Sequence, residues 1–232
     1  MKVRIKFEKT GVMKYIGHLD VMRYFQKLLR RADIPIAYST GMSPHQIMSF
    51  AMPLSTGLES DAEYVDIEIT APILSSEAVK RLNEQNVEGI KILSFKELPK
   101  DAENAMASIK AASYEVFFRE GYKPSFSCID TIRKMYEGPC INVIKKTKKS
   151  ETEVDIKPGI YMIDGDDDGI CMCLSCGSVL NIKPELVLGE AYRRNNEELP
   201  DFALAIRRTE IYTEKDGHRV SLDEIGTDIE RV

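Results

Sequence analysis

Residues 64–98 read YVDIEITAPILSSEAVKRLNEQNVEGIKILSFKEL, and their periodicity decides the fold class. Val65, Ile67 and Ile69 alternate with Tyr64, Asp66 and Glu68, the two-residue period of a strand with one buried face. Ser75 to Asn86 opens on serine and carries Glu77 in its first turn, which predicts a helix. Ile90 to Leu98 returns to strand. Toward the N-terminus, Val3, Ile5 and Phe7 alternate with Arg4, Lys6 and Glu8, a further half-buried strand. Gly17-His18-Leu19-Asp20 predicts a helix start, with Gly as an acceptable N-cap and Asp20 complementing the positive dipole end. Leu19, Met22, Phe25, Leu28 and Leu29 recur at helical spacing to about Ala32, and Pro35 bars continuation. Ile36 to Ser39 reads as a short strand. Residues 40–57, rich in Gly, Pro, Ser and Met, read as a long connection. The resulting order, β-α-β-β-α-β, is the split βαβ or ferredoxin-like arrangement, with its hand set by the right-handed crossover rule.

The order then repeats, in elements and not in residues. Residues 99–110 (PKDAENAMASIK) are polar and Ala-rich, suited to a linker or a short helix. Ala112 to Arg119 reads as a strand, Ser125 to Tyr136 as a helix, and Ile141 to Lys146 as the start of a strand. Pro158-Gly159 marks a turn. Ile170 to Leu174 is a strand, Pro184 to Arg194 a helix with proline in its first turn, and Ala203 to Thr213 the last strand. The expected fold is α+β: two tandem ferredoxin-like (βαββαβ) units with antiparallel sheets. The expected limits are 1–98 for the N-terminal unit, 99–110 for the linker, 111–213 for the C-terminal unit, and 214–232 for a poorly ordered polar tail.

Composition bounds the rest. With 232 residues, 43% of them hydrophobic, the chain suffices for two ordinary cores. No apolar run approaches the ~18 residues of a membrane span. The alternating N-terminus lacks the apolar stretch of a signal peptide, so a cytoplasmic protein without membrane partners is expected. Five cysteines, an odd number, argue for reduced thiols. The net charge of −5 is unevenly spread: residues 1–60 carry +5 and residues 151–232 carry −10. A local basic surface is therefore compatible with a mildly acidic whole.

Several residue groups carry possible chemistry. Arg23, Lys27, Arg30 and Arg31 share one face of the first helix and form a basic stripe that suits phosphates. Lys145, Lys146, Lys148 and Lys149 form a second basic cluster. Both read equally as solvated charge. Gly41 predicts a backbone with φ > 0, and Pro44 and Pro53 stiffen the connection that holds His45. Gly41, Pro44 and His45, with the basic stripe, are the expected binding residues. His45, His18 and the Asp66/Glu68 pair are candidates for acid–base catalysis, because histidine titrates near pH 7 and carboxylate pairs can divide acid and base roles. The plainer readings are a loop residue, a first-turn packing residue, and a strand face that is solvated or pairs with Lys or Arg on a neighbouring strand. Cys171, Cys173 and Cys176 form Cys-x-Cys-x2-Cys, with the first two on one strand face. Three thiolates suit zinc or an iron–sulfur cluster if a fourth ligand joins them, and the plainer reading is small buried residues beside a turn. Asp164 and Asp166 to Asp168 suit a turn with Gly165 and Gly169.

The segment GHLDVMRYFQKLLRRADIPIAYSTGMSPHQIMSFAMPLSTGLESDAEYVDIEI (17–69), with VDIKPGI (154–160), NIKPELVL (181–188) and RRTEIY (207–212), resembles the radical-SAM-linked proteins, a bacterial domain family without assigned function. The resemblance spans about residues 2–213. It implies a protein fused to, or encoded beside, a radical-SAM protein, with ribosomal-protein and ribonuclease genes as frequent neighbours. It supplies no catalytic residues. The Cys-x3-Cys-x2-Cys motif of radical-SAM enzymes is absent from this sequence, so radical chemistry would fall to a partner. The expected function is a binding module, without a cofactor of its own, for a radical-SAM protein or its tRNA or rRNA substrate. The alternatives are an RNA-acting enzyme built on His45, His18, Asp66 and Glu68, and a metal carrier built on the three cysteines.

Overall fold

Strand β1 (Lys2–Lys9) turns Val3, Ile5 and Phe7 into one core, and the elements of the first unit collect around them. The structure, a computed structural model, describes residues 1–146, 151–177 and 180–231. It is a mixed α+β chain with mostly antiparallel strands that divides into two units. The first comprises Met1–Lys110 and Glu210–Val232, and the second Ala111–Thr209. No helix of the described residues is long and apolar enough to cross a membrane.

In the first unit, β1 is followed by α1 (His18–Arg31), β2 (Met48–Phe50), β3 (Glu59–Glu68), α2 (Ser75–Glu84), β4 (Ile90–Glu97) and α3 (Ala105–Ser108). β1 lies between β3 and β4 and pairs antiparallel with both, while the short β2 pairs with β3. The strand order of these four is therefore β4-β1-β3-β2. Phe25, Leu28 and Leu29 of α1 and Ala78 and Leu82 of α2 cover one face. Leu19 departs from the periodicity expected of it, being 61% exposed. His18 takes the inward position instead, its ring edge-on to Phe50 at 5.3 Å between centroids. The inward stripe thus runs through 18, 21, 25 and 28, and Leu19 lies about 100° away from it.

In the second unit the chain forms β5 (Ala111–Phe118), α4 (Cys128–Glu137), β6 (Asn142–Lys146), β7 (Glu151–Asp155), β8 (Ile160–Asp166), β9 (Gly169–Ser175), α5 (Pro184–Arg194) and β10 (Leu204–Lys215). The strand order is β10-β5-β9-β8, and β6 and β7 pair as a separate two-stranded hairpin. The aspartates of the β8–β9 turn act locally. Asp166 accepts from the backbone N–H of Asp168 and Gly169, and Asp167 accepts from Ile129 at the start of α4.

The unit boundary falls inside β10, between Thr209 and Glu210. The segment beyond it corrects the expectation of a polar tail. β11 (His218–Ser221) pairs with β10, and β12 (Thr227–Asp228) pairs with β4. Between them the 3-10 turn Leu222–Ile225 starts on a capping box formed by Ser221 and Glu224. Leu222 is 0% exposed, and Ile229 joins the core of the first unit. Two apolar anchors seven residues apart hold a segment whose average composition is polar.

Two outcomes follow for stability. Leu222→Ala removes a fully buried side chain and should lower the unfolding free energy by about 2–5 kcal/mol. Val12→Ala, at a 73% exposed position, should change it by less than about 0.5 kcal/mol; urea titration measures both. Asp223 receives hydrogen bonds from Lys96 and Ser94. Burial raises its pKa, but these bonds outweigh burial and hold the carboxyl below the usual carboxylate range. Its stabilisation is complete above the unfolded-state value, about pH 4, and is lost as pH falls through the lower folded value. The stability gap between the parent and Asp223→Asn should therefore narrow as urea titrations are taken below about pH 4.

Candidate functional site

The exposed flank of α1 and the tip that follows it form the candidate site. The chain leaves α1 at Ala32, passes Pro35 and closes a narrow loop by the bridge between Tyr38 and Gln46. Residues 40–45 of this loop are all exposed. Gly41 has φ +121°, as anticipated for a glycine here. His45 is pinned to Ser39 in three ways. Its carbonyl accepts from the Ser39 backbone N–H at 2.8 Å, its own N–H donates to Ser39 Oγ at 3.1 Å, and its Nδ1 shares a hydrogen bond with that hydroxyl at 2.9 Å. The tip is thus short, exposed and internally tied. The remainder of the expected connection differs: residues 48–50 are strand β2, and Phe50, Ala51 and Leu54 are buried.

The basic row is exposed along α1, and its charges are little compensated. Arg23 pairs with Asp20 at 3.2 Å, one turn away. Arg30 Nε donates to the Gln26 carbonyl at 3.2 Å, and Arg31 Nη2 to the Gln85 carbonyl at 3.1 Å. These are neutral partners. Among the described residues no carboxylate pairs with Lys27, Arg30 or Arg31. The tip is tied to this row, because Gln46 Nε2 donates to the same Gln26 carbonyl at 3.2 Å and lies 3.4 Å from the Tyr38 hydroxyl. Tyr38, Gln26 and Gln46 escape a reading of the sequence, since neither periodicity nor motif marks them. Of the second basic cluster, Lys145 and Lys146 fall on β6, and Lys148 and Lys149 lie outside the described residues.

Of the candidate catalytic residues, Asp66 and Glu68 are brought to one cleft, and His18 and His45 do not join them. Asp66 sits opposite Arg4 in the β1–β3 register. Both its carboxylate oxygens accept from the guanidinium, at 2.7 and 2.9 Å, and Oδ2 also accepts from the Ala105 N–H at 3.0 Å. That carboxylate is committed to structure. Asp66 and Glu68, on the same strand face, both border a cleft of about 120 Å³ with Lys2, Ser49, Glu103 and Asn104, and neither His18 nor His45 lines it. His18 lies on the opposite, helix-covered side with Phe50 and Val65. An acid–base set of His18 with Asp66 or Glu68 would have to act through the sheet.

The face bearing Arg4 and Asp66 is not open either. Arg4 Nη1 donates to the Leu222 carbonyl, Lys96 and Ser94 donate to Asp223, and the Tyr64 hydroxyl meets Ser221 at 3.1 Å and donates to Glu210 at 2.6 Å. Residues 221–223 therefore lie across the side of the sheet away from the helices. The part of this face around Arg4, Tyr64 and Lys96 is thus covered by the chain itself.

Among the described residues no group of three or more His, Cys, Asp or Glu side chains is placed to hold a metal ion. Of Cys171, Cys173 and Cys176, the last two are buried and Cys171 is partly exposed. Burial pushes the Cys176 thiol up to about 12, with Arg208 pulling the other way. Burial also takes Cys128 up to about 12. Cys171 is raised by burial and by the carboxylates of Glu115 and Asp164. Neutral thiols are poor ligands and poor nucleophiles. Cys140 is exposed, so iodoacetamide at pH 8 should modify it first in the native protein. Cys140→Ser should remove the fast phase, and Cys128 and Cys176 should react only after unfolding.

Comparison with solved structures gives distant likenesses. A chain from the crystal structure of a Cbf5-Nop10-Gar1 complex matches at 12% identity and a TM-score of 0.45, over 90% of this chain and 48% of that one. A heavy metal efflux pump matches at 9% identity and a TM-score of 0.25, over 92% of this chain and 28% of that one. This chain thus spans about half of the first and under a third of the second. Comparison with curated proteins finds no match. The family model described as "Uncharacterized protein conserved in bacteria (DUF2344)" matches residues 2–184. Since that match covers well over half of the sequence, the chain belongs to this bacterial family.

Proposed function

We propose that the protein is a docking module that holds RNA, tRNA or rRNA by class, for a radical-SAM protein partner, and that its binding surface is the exposed flank of α1 with the tip at residues 40–45. The observation that carries this reading is the row of Lys27, Arg30 and Arg31, exposed and without carboxylate partners among the described residues. Cations left in this state attract a polyanion and release its counterions on contact. The tip beside the row brings Gly41, Pro44 and His45 to the same surface. The radical-SAM partner comes from the sequence resemblance alone. In each unit the order of the four principal strands supports the finer reading of a ferredoxin-like pair, with the β6–β7 hairpin as an insertion in the second.

An enzyme working through His45 and His18 with Asp66 and Glu68 is disfavoured because the cleft shared by the two carboxylates is lined by neither histidine. The test is a variant with Arg23, Lys27, Arg30 and Arg31 all replaced by Glu, assayed for binding of labelled tRNA and rRNA fragments over a salt series. The parent should bind with an affinity that falls steeply with salt, and the variant should lose both affinity and slope, by about 0.7–0.9 in the log–log slope per phosphate contact. In-cell crosslinking should recover RNA and a radical-SAM protein together. A parent that binds no RNA, or a variant with unchanged affinity and slope, overturns the proposal.

A further inference from the structure

The Gln26 carbonyl is a meeting point. It accepts from Arg30 Nε and from Gln46 Nε2, each at 3.2 Å, and the same Gln46 nitrogen reaches the Tyr38 hydroxyl at 3.4 Å. A guanidinium, an amide and an aromatic ring therefore converge on the flank of α1. Tyr38 is 48% exposed, so its ring is presented and not stored in the core.

The amide orientation follows from its partners. A carbonyl can only accept, so the nitrogen of the Gln46 amide faces Gln26 and the oxygen faces elsewhere. That oxygen, Oε1, is buried in a residue only 6% exposed and has no hydrogen-bond partner among the described residues. Buried acceptors are nearly always satisfied, so an orphan one calls for a donor. The node thus holds an unmet acceptor, an exposed ring and a cation beside the Lys27 charge.

These features match the parts of one nucleotide. We infer that the node seats an unpaired base of single-stranded RNA. The base stacks on Tyr38 and donates a Watson–Crick-edge N–H to Gln46 Oε1 once the tip, tied within itself, shifts as one piece to uncover that oxygen, and the flanking phosphates lie on Lys27 and Arg30. The inference rests on the RNA reading above and deepens it by naming the class of RNA. A duplex cannot satisfy the node. Its bases are stacked on one another and their Watson–Crick donors are taken, so it offers only phosphates and sugar edges. Stacking tolerates any base, because every base has a π-face, so preference for strandedness and not for sequence is the outcome.

The experiment compares a fluorescein-labelled 12-nucleotide RNA with the same strand annealed to its complement, by fluorescence anisotropy at one salt concentration. The parent should favour the single strand. Tyr38→Ala should weaken single-strand binding about 5- to 100-fold and leave duplex binding within about twofold, while Tyr38→Phe, which keeps the π-face, should retain the preference. A single strand carrying 2-aminopurine should change its fluorescence on binding the parent, a readout that needs no variant and so stands even if Tyr38→Ala misfolds. Equal affinity for both forms, an equal effect of Tyr38→Ala on both, or silent 2-aminopurine would overturn the inference while leaving RNA docking intact. Failure of the parent to bind either form would overturn the docking proposal, and the inference with it.

Discussion

A guanidinium 2% exposed has to be matched group by group, and Arg4 shows how the first unit does this. Two of its nitrogens go to the Asp66 carboxylate and a third to the Leu222 carbonyl, while Asp66 also receives the Ala105 N–H. One ion pair thereby joins β1, β3, the start of α3 and the C-terminal turn. Such a pair need not add net stability, since desolvating two charges offsets much of their attraction. It does dictate register. Arg4 stands directly opposite Asp66, and a slip of one residue would turn every side chain of β1 to the wrong face, sending Val3, Ile5 and Phe7 out of the core and a charge into it.

That commitment determines which surface is left for a partner. The face carrying Arg4, Lys6, Tyr64 and Lys96 is rich in groups that bind phosphate, yet each is engaged from within the chain, Lys6 by Glu210 at 2.8 Å and Lys96 by Asp223 at 2.7 Å. The acidic residues of the C-terminal segment occupy the positions that an anionic ligand would take. The cations of α1 face no such segment. The contrast between these two sets of positive charge, one matched by carboxylates and the other, past Arg23, with no carboxylate partner among the described residues, is why the docking surface is drawn on the helix side.

The sequence made the strands legible where alternation was strict, as in residues 3–8 and 64–69, and it made the basic row legible because 23, 27 and 30 or 31 repeat at helical spacing. It misled where a local pattern had two solutions. Leu19 fits the apolar stripe by spacing, but the stripe that packs is one position away, on His18, because Phe50 of β2 meets that residue. Residues 48–50 looked like loop because a three-residue edge strand is too short for a period. Asp66 and Glu68 could be read as a catalytic pair or as a face that pairs with a basic residue next door, and Asp66 takes the second course with Arg4 directly opposite it. The node at Gln26 joins residues 26, 30, 38 and 46 through a backbone carbonyl, an acceptor that carries no signature in the side-chain code.

The overall charge of −5 would suggest that RNA is repelled, but the sign of the whole chain is the wrong quantity to use. At physiological ionic strength the Debye length is about 8 Å, so a ligand on α1 is governed by the charges of that flank. Arg23 to Arg31 spans about 12 Å of helix, longer than this screening distance, so the row is felt in parts. Arg23 is offset by Asp20. Arg30 and Arg31 lie in the last turn, where the negative end of the helix dipole compensates part of their charge. Lys27, between them, has no carboxylate partner among the described residues and no helix end beside it, and its flexible stem carries a compact charge able to follow a phosphate. The strongest uncompensated field therefore sits in the middle of α1, one residue from Gln26, where the tyrosine ring and the orphan acceptor also converge.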